Sequence, residues 1–297
     1  MESRIIWWFL KGLSWIPDSV LRLVSKGIYF FVYHFFGYRK RIVRENLDRS
    51  FPSLSVESRL EIERKFYHQF SELFTEIIRL VRLKIKTSPR HLHWTRPELL
   101  QDYLKKGQNL VIMAGHYGNW ELIAPSLLAV GYRVLAVYKP QSSRLANDLM
   151  SRIRQKPGLT LIPMKETIRA IRREKDNDGS PYCLLLVADQ IPARGDIHFW
   201  IRFLNQETAF FTGGEKIALR FKMPALYVDQ HKTSYGRYEG SLQVLYDGSE
   251  DLPEHALTSN FASLLEASII REPHLWLWSH RRWKYGKENV LLNDAKG

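Results

Sequence analysis

The sequence predicts an α/β protein in which helices flank a mainly parallel central sheet, preceded by an N-terminal membrane-associated helical segment. From about residue 98 onward, short apolar runs alternate with helical periodicities, an order typical of a sheet with helices on both faces. The runs at 110–114 and 182–188 are apolar throughout, as expected of buried strands, although periodicity alone is also compatible with a buried helix at 110–114. The aromatic-rich first 38 residues predict the membrane segment.

Residues 1–38 are predicted to anchor the chain to a membrane. Apolar and aromatic side chains fill most of this segment, but Lys11, Arg22 and Lys26 interrupt it. No uncharged stretch therefore reaches the roughly 18 to 20 residues of a clean spanning helix. Aromatic rings and long basic side chains suit the bilayer interface. The segment is expected either to lie in the interface or to cross the bilayer once, and the alternative is a buried soluble helix.

The formal net charge of +13 indicates an acidic partner, and nucleic acid, an anionic membrane surface or an acidic protein all fit this description. Nine tryptophans and fifteen phenylalanines favour the membrane. The stretch 38–44 places four basic residues within seven positions, directly after the anchor. Such a cluster suits an anionic cytoplasmic leaflet, and its alternative is a solvated helix face.

No cofactor and no metal are expected. Cys183 is the single cysteine, so the chain has neither a disulfide framework nor a thiolate metal site, and its apolar neighbours predict a core position. The sequence contains no Walker loop, dinucleotide fingerprint, His-Glu-x-x-His motif or EF-hand loop. The chemistry is therefore expected to come from side chains alone.

The predicted elements follow in order along residues 39–297. Residues 55–83 have the apolar spacing of an amphipathic helix, with Ser55 and Ser58 as possible caps. Strands are expected at 110–114, 132–138, 159–162, 182–188, 225–229 and 241–246. Helices are expected at 98–106, 119–131, 143–155, 166–174, 213–222 and 257–271. Asn119 is a good N-cap for the second of these helices.

A glycine-flanked histidine is the main candidate for chemistry. Gly115 and Gly118 break the apolar run 110–114, which places His116 beyond the carboxyl end of a strand, where the sites of α/β sheets lie. On a continuous helix His116 and Glu121 would point in different directions, so their pairing needs a bend. Given the bend, Glu121 is expected to orient the imidazole as a general base for a hydroxyl that attacks a carbonyl. The alternative is an ordinary loop histidine beside a helix-terminal carboxylate.

Other polar residues are expected to converge on the same edge if the strands are parallel. The candidate substrate-binding residues are Lys139, Arg152, Arg154, Asp189, Gln190 and Asn119. Lysine and arginine there suit phosphate, which arginine holds with a bidentate fork. Asp189 is expected to order a basic partner or the loop rather than to act as a nucleophile. Taken singly, each residue has a structural role as its alternative.

Four stretches resemble the lipid A late acyltransferases, a branch of the lysophospholipid acyltransferase superfamily, and they occur in the family's order. They are 44–52 (RENLDRSFP), 115–122 (GHYGNWEL), the set 137–140 (VYKP), 152–154 (RIR) and 188–190 (ADQ), and 278–284 (WSHRRWK). The resemblance implies an enzyme on the cytoplasmic face of the cell inner membrane, with an anchor at 1–38 and an acyltransferase domain at 39–297. It implies transfer of a fatty acyl chain from acyl carrier protein to a hydroxyl of a lipid A precursor.

Two departures from the family pattern leave the acceptor open. The family usually has arginine where this chain has Lys139, and a hydroxyl-rich segment where this chain has 210–213 (FFTG). Another glycolipid, a phospholipid or an aminolipid is therefore an alternative acceptor. A reading of a different class is a non-catalytic binder of anionic lipid or nucleic acid, since aromatic and basic residues interleave at 276–284. No recognisable nucleic-acid motif is present, so nucleic acid is not the expected partner.

Overall fold

The protein is built on a seven-stranded sheet with helices against both faces. The structure is a computed structural model that describes residues 2–140, 143–174, 179–249 and 251–287. The strands are β1 (Leu92–Trp94), β2 (Leu110–Ala114), β3 (Arg133–Tyr138), β4 (Thr160–Pro163), β5 (Tyr182–Val187), β6 (Trp200–Phe203), β7 (Gln206–Ala209), β8 (Ala225–Ser234) and β9 (Arg237–Tyr246). The helices are α1 (Glu2–Leu13), α2 (Asp18–Tyr29), α3 (Lys40–Ser50), α4 (Val56–Leu80), α5 (Pro97–Lys105), α6 (Ile123–Val130), α7 (Arg144–Gln155), α8 (Thr167–Glu174), α9 (Gly213–Phe221) and α10 (Ala256–Arg271).

The main sheet has the strand order β1-β9-β8-β2-β5-β3-β4. Its neighbouring strands are parallel except for the β8–β9 hairpin, so the prediction of a mainly parallel sheet flanked by helices is confirmed. Strand β2 is central, because β5 pairs on one side of it and β8 on the other. In the β2–β5 register, Leu110 lies opposite Cys183 and Ala114 opposite Val187. The chain therefore leaves both strands at the same level of the sheet.

The sheet divides the core into two apolar clusters. Met113 of β2 belongs to the cluster that contains Phe261 of α10. Its neighbour Ile112 points to the other face, into the cluster that contains Leu127 of α6. Cys183 lies in this second cluster and is 0% exposed, and burial raises the pKa of its thiol. The predicted core position of the cysteine is confirmed.

Most predicted elements are present, with ends that differ by a few residues. The strand predicted at 110–114 is β2, and the long amphipathic helix is α4, whose N-cap Ser55 accepts a hydrogen bond from the Ser58 N–H. Strands β8 and β9 are longer than predicted because they continue into one antiparallel hairpin. The three-residue β1 and the separate β6–β7 hairpin were not predicted, since segments this short give only a weak periodic signal.

The N-terminal segment packs on α4 and still exposes a large apolar surface. Leu21 and Tyr33 are buried, and the Tyr29 ring stacks on His68 with 3.6 Å between ring centroids. A π-helical turn, Phe30–Phe35, follows α2. The side chains that remain more than 60% exposed include Trp8, Phe9, Trp15, Leu23, Phe35 and Phe36.

Among the helices of the described ranges, none combines the length and the apolar character needed to cross a bilayer. Membrane association of the segment and the domain boundary at residue 38 stay predictions. Met1 and residues 288–297, which belong to the two predicted domains, lie outside the described residues.

Candidate active site

The site is assembled where β2 and β5 end side by side. His116 and Asp189 each lie two residues beyond the paired ends Ala114 and Val187. The ring Nδ1 of His116 lies 2.5 Å from Oδ1 of Asp189, and the backbone N–H of His116 donates to Oδ2 at 2.9 Å. One carboxylate thus fixes both the backbone and the ring of the histidine.

Asp189 is a buried carboxylate that is stabilised in its ionised form. Burial by itself raises the pKa of Asp189, but the electrostatic interaction with His116 and hydrogen bonds from His116 and Trp276 hold it well below its usual range. The indole Nε1–H of Trp276 donates to Oδ2 at 2.8 Å. Because an ionised carboxylate only accepts hydrogen bonds, Nδ1 of a neutral His116 carries the proton. Nε2 then keeps a free lone pair.

The Nε2 atom of His116 faces the rim of the sheet. The His116 side chain retains 15% exposure, and the edge of the Trp120 ring covers one side of it, with 4.9 Å between ring centroids. The amide Nε2 of the exposed Gln190 lies 3.0 Å from the imidazole Nε2. Since the imidazole nitrogen is the acceptor, the amide donates. Gln190 therefore occupies the position from which a hydrogen-bond donor reaches Nε2 of His116.

The expected orientation of His116 by Glu121 is corrected by the structure. Arg154 binds the Glu121 carboxylate in a fork, from Nε to Oε2 at 2.8 Å and from Nη2 to Oε1 at 2.5 Å. Trp120 Nε1–H also donates to Oε1, at 3.1 Å. Within the described parts of the chain, no hydrogen bond or ion pair joins Glu121 to His116. The predicted bend is present, but its 3₁₀ turn, Trp120–Leu122, directs the carboxylate toward α7.

Of the three predicted cationic residues, one is largely buried and two are exposed. Arg154 is largely buried, and although burial lowers its pKa, the charge and hydrogen bonds of Glu121 raise it overall. The charge of its guanidinium is therefore already neutralised by Glu121. Arg152, two residues away on α7, is exposed. Lys139 is also exposed and follows β3, which is parallel to β5, so it lies at the same edge of the sheet as Asp189.

Asn119 does not have the position expected of a substrate-binding residue, because it is 0% exposed. It is the predicted N-cap, and its Oδ1 accepts from the Glu121 N–H at 3.2 Å. Its Nδ2 donates to Oε2 of Glu76 at 2.8 Å, and its backbone N–H donates to Oε1 of Gln230 at 3.0 Å. Tyr238 donates to the same Glu76 oxygen at 3.0 Å. This buried network holds the loop after β2 in place, and burial raises the pKa of Glu76.

Sequence reasoning did not identify the residues of the C-terminal segment (275–284) that complete the site. The Gly118 N–H donates to the Leu275 carbonyl at 3.1 Å, and the Leu277 N–H donates to the His116 carbonyl at 3.0 Å. Trp276, between them, is the residue that binds Asp189. The available signals were the interleaved aromatic and basic stretch at 276–284, which begins at Trp276 but was interpreted as a binding surface, and the family-like stretch at 278–284.

Burial lowers the pKa of two further residues of the C-terminal segment, both of which interact electrostatically with Asp189. Burial lowers the pKa of His280 to about 4, so this ring is neutral at neutral pH. Arg282 is 1% exposed, and burial lowers its pKa to about 10, against the attraction of Asp189. Its guanidinium lies 4.7 Å from the Phe210 ring centroid and donates to the Ala209 carbonyl at 2.6 Å. A permanent positive charge is thus buried near the Asp189 carboxylate.

The amino-acid sequence matches a known family along almost all of the chain. The family described as bacterial lipid A biosynthesis acyltransferase matches residues 4–285. The chain belongs to this family. It is therefore an acyltransferase that acts on lipid, and the resemblance seen in the sequence is confirmed.

Individual relatives cover a similar length. The lipid A biosynthesis palmitoleoyltransferase of Escherichia coli (strain K12) is 23% identical over 287 residues, covering 93% of this chain and 90% of the relative. The lipid A biosynthesis acyltransferase of Haemophilus influenzae is 24% identical over 294 residues, covering 94% of this chain and 90% of the relative. Among solved structures, the 1-acyl-sn-glycerophosphate acyltransferase PlsC from Thermotoga maritima is 14% identical, covers 88% of this chain and 98% of that one, and has a TM-score of 0.35.

Replacing Gly118 by alanine is expected to destabilise this acyltransferase more than replacing Gly107. Both glycines have positive φ, 64° and 67°, where alanine costs about 1 kcal/mol. Only at Gly118 does an added Cβ meet a neighbour, at 2.6 Å from Oε1 of Gln230, whereas nothing lies within 4 Å at Gly107. Urea unfolding should show a loss of about 1 kcal/mol for Gly107→Ala and at least about 2 kcal/mol for Gly118→Ala. Equal losses would contradict the close approach of Gly118, in the loop after β2, to Gln230 of the β8–β9 hairpin.

Replacing Asp189 by asparagine is expected to cost stability in a pH-dependent manner. The folded pKa is lowered, so the stabilisation by the carboxylate is present above the unfolded pKa of about 3.9 and is lost as the pH falls through the lower folded value. At pH 7 the variant should lose about 3 kcal/mol of unfolding free energy, as for a broken buried pair. The difference from wild type, measured by denaturant unfolding at several pH values, should shrink below about pH 4. A constant difference down to acidic pH would be inconsistent with an ionised Asp189.

Proposed function

We propose that this acyltransferase moves a fatty acyl chain from the thioester of acyl carrier protein to a hydroxyl of a lipid A precursor, with His116 as general base. The observation that carries the proposal is the bond between Nδ1 of His116 and Asp189, which in the neutral imidazole leaves the Nε2 lone pair at the rim of the sheet. Family membership supplies the reaction class, and the relatives' names supply the lipid A acceptor. The acyl carrier protein donor is an inference from the resemblance, and the net charge of +13 suits so acidic a partner.

The proposed reaction begins when the acceptor hydroxyl displaces the Gln190 amide from Nε2 of His116. The hydroxyl proton moves to Nε2 as its oxygen attacks the thioester carbon, which forms the new C–O bond. Asp189 stabilises the imidazolium that results. Hydrogen-bond donors near the loop after β2 stabilise the oxyanion of the tetrahedral intermediate. The C–S bond then breaks, and the leaving thiolate takes the proton from Nε2, so the histidine returns to its starting form.

Glu121 is proposed as a positioning residue rather than the partner of His116. Its fork with Arg154 ties α7 to the turn that follows the histidine loop. Lys139 is exposed at the same rim and Arg152 is exposed on α7, and both suit the phosphate of the donor's phosphopantetheine or the acidic surface of the carrier protein. The buried Arg154 is left out of this group because Glu121 already neutralises its charge.

The enzyme is further proposed to bind the cytoplasmic face of the anionic inner membrane through its N-terminal segment. The exposed apolar side chains there include Trp8, Trp15 and Phe36, at 63%, 67% and 71% exposure. Basic residues such as Lys11, whose ammonium lies 4.5 Å from the Trp8 ring centroid, accompany them. Aromatic rings beside basic side chains are typical of segments that lie at headgroup depth.

Replacing His116 by alanine is expected to lower acyl transfer by about 10²- to 10⁴-fold, the usual contribution of a general base. The assay follows acyl transfer from purified acyl carrier protein to the lipid A precursor. His231→Ala is the matched control, because His231 also pairs with a carboxylate, Glu272 at 2.7 Å, but lies 55% exposed on the surface. Unchanged turnover in His116→Ala, or an equal loss in the control, would refute the assignment. Mass spectrometry of the acylated product identifies the acceptor.

Replacing Phe35 and Phe36 by serine is expected to weaken binding to vesicles that contain anionic phospholipid. The two side chains are 74% and 71% exposed, and burial of each in the bilayer contributes roughly 1.5 to 3 kcal/mol. Vesicle co-sedimentation should therefore show at least a roughly tenfold loss of affinity. Ile270→Ser, at a 59% exposed position on α10, should bind like the wild type. Full binding by the double variant would rule out this surface as the membrane contact.

A further inference from the structure

A cavity of about 640 Å³ lies between α3 and the C-terminal segment, and His116 is not part of its lining. Six basic side chains line it: Arg39, Lys40, Arg41, Arg49, Arg281 and Lys284. Glu45 is the one acidic residue that the lining contains. This feature is the cationic cavity.

The positive charges of the cationic cavity are largely unneutralised. Glu45 is already bound to Arg41, with 2.8 Å between Oε1 and Nε. Arg39 donates to the Ser279 carbonyl at 3.0 Å, and Lys40 lies 3.8 Å from the centroid of a tyrosine ring, contacts that supply no negative charge. In the described ranges, no carboxylate forms an ion pair with the remaining lining cations, which are Arg39, Lys40, Arg49, Arg281 and Lys284.

The backbone adds to this positive potential. Helix α3 begins at Lys40 without a side-chain cap, and its first turn contains no acidic residue. The positive end of the helix dipole therefore coincides with basic side chains, an arrangement that stabilises an anion and is unfavourable without one. The mutual repulsion of these charges is relieved when a group with several negative charges enters the cavity.

We propose that the cationic cavity binds the phosphorylated head group of the acceptor lipid, an inference that rests on the proposed function. Four of the six basic residues are arginines, whose planar forks match phosphate oxygens in pairs. The volume is that of a small-molecule site, for which about 300–1,000 Å³ is usual. A carrier protein instead needs an open contact area of about 800 Å² on its partner.

The position of the cavity favours a lipid over a soluble phosphate compound. Gly37, in the lining, directly follows Phe35 and Phe36, which are 74% and 71% exposed and belong to the surface proposed to enter the membrane. The lining of the cavity thus adjoins that surface at Gly37. Lipid head groups lie at this depth, where aromatic side chains meet the polar layer.

The cationic cavity and the reaction centre share the C-terminal segment as a wall. Asn46, in the cavity lining, donates from Nδ2 to the Trp278 carbonyl at 2.8 Å and to the His280 carbonyl at 3.0 Å. On the other side, the Leu277 N–H donates to the His116 carbonyl. Arg281 follows Leu277 by four positions, which is at most about 14 Å of chain. A head group whose phosphate is held in the cationic cavity would therefore extend along this shared wall toward the His116 loop.

The first experiment measures kinetics with the full-length enzyme and the double variant Arg49→Gln/Arg281→Gln. Both side chains are exposed and stand outside the catalytic groups. The KM for the phosphorylated acceptor should rise at least roughly tenfold, because charge-assisted hydrogen bonds are lost. The kcat and the KM for acyl carrier protein should stay unchanged. With an acceptor whose phosphate has been removed, variant and wild type should have equal KM values.

The matched control is Arg90→Gln/Arg96→Gln, which removes the same charge from two exposed positions outside the cavity. An equal rise of KM in the control would overturn the proposal in favour of general charge attraction. A rise of KM for the carrier protein instead of the lipid would assign the cavity to carrier docking. An unchanged KM for the phosphorylated acceptor, or an equal effect on the dephosphorylated one, would also refute it.

Calorimetry with inorganic phosphate supplies a readout that is independent of acyl transfer. The wild type should bind phosphate, and the cavity variant should lose this binding while the control keeps it. Loss of phosphate binding without any change of acceptor KM would make the cavity a site for free phosphate and overturn the head-group assignment. If the wild type transfers no acyl chain, the proposed function fails, and calorimetry still decides whether the cavity binds phosphate.

Discussion

The hydrogen bond between His116 and Asp189 is the interaction on which the site depends, and it is a consequence of strand register. A carboxylate buried to 3% exposure is costly unless its oxygens are paired, and here all of the pairing comes from the ends of neighbouring elements. A shift of β5 by one residue relative to β2 would leave Asp189 unpaired and direct it to the wrong side. The apolar side chains that fix this register thus also set the tautomer of the histidine.

The parts of the fold that the sequence predicts are those with a local signal. The strand Leu110–Ala114, the Asn119 cap and the ends of α7 follow from apolar runs and capping residues within a few positions of one another. The β6–β7 hairpin has four-residue strands and a turn with positive φ at Leu204 and Asn205, residue types that give no turn signal together. It was missed for that reason.

The partner of His116 was assigned incorrectly because the correct one is not local. Glu121 is five residues away and has the right chemistry, whereas Asp189 is 73 residues away and meets His116 only through the sheet. The sequence did place Asp189 at the end of a buried strand, as a residue that orders a basic partner. Choosing between the two carboxylates required knowledge that β2 and β5 are direct neighbours and that α7 brings Arg154 to Glu121.

Pairing separates the structural charges of this protein from those available to a ligand. Glu121 with Arg154 and Glu76 with Asn119 are satisfied inside the protein, so these groups hold the loop after β2 in place. The lining of the cationic cavity, by contrast, gathers basic side chains around a single acid that is already bound. Folding alone provides no reason to gather like charges in a concave surface, since their repulsion opposes the compact state. A negatively charged ligand provides one, and the shared wall of the C-terminal segment explains why such a ligand would bind beside the reaction centre.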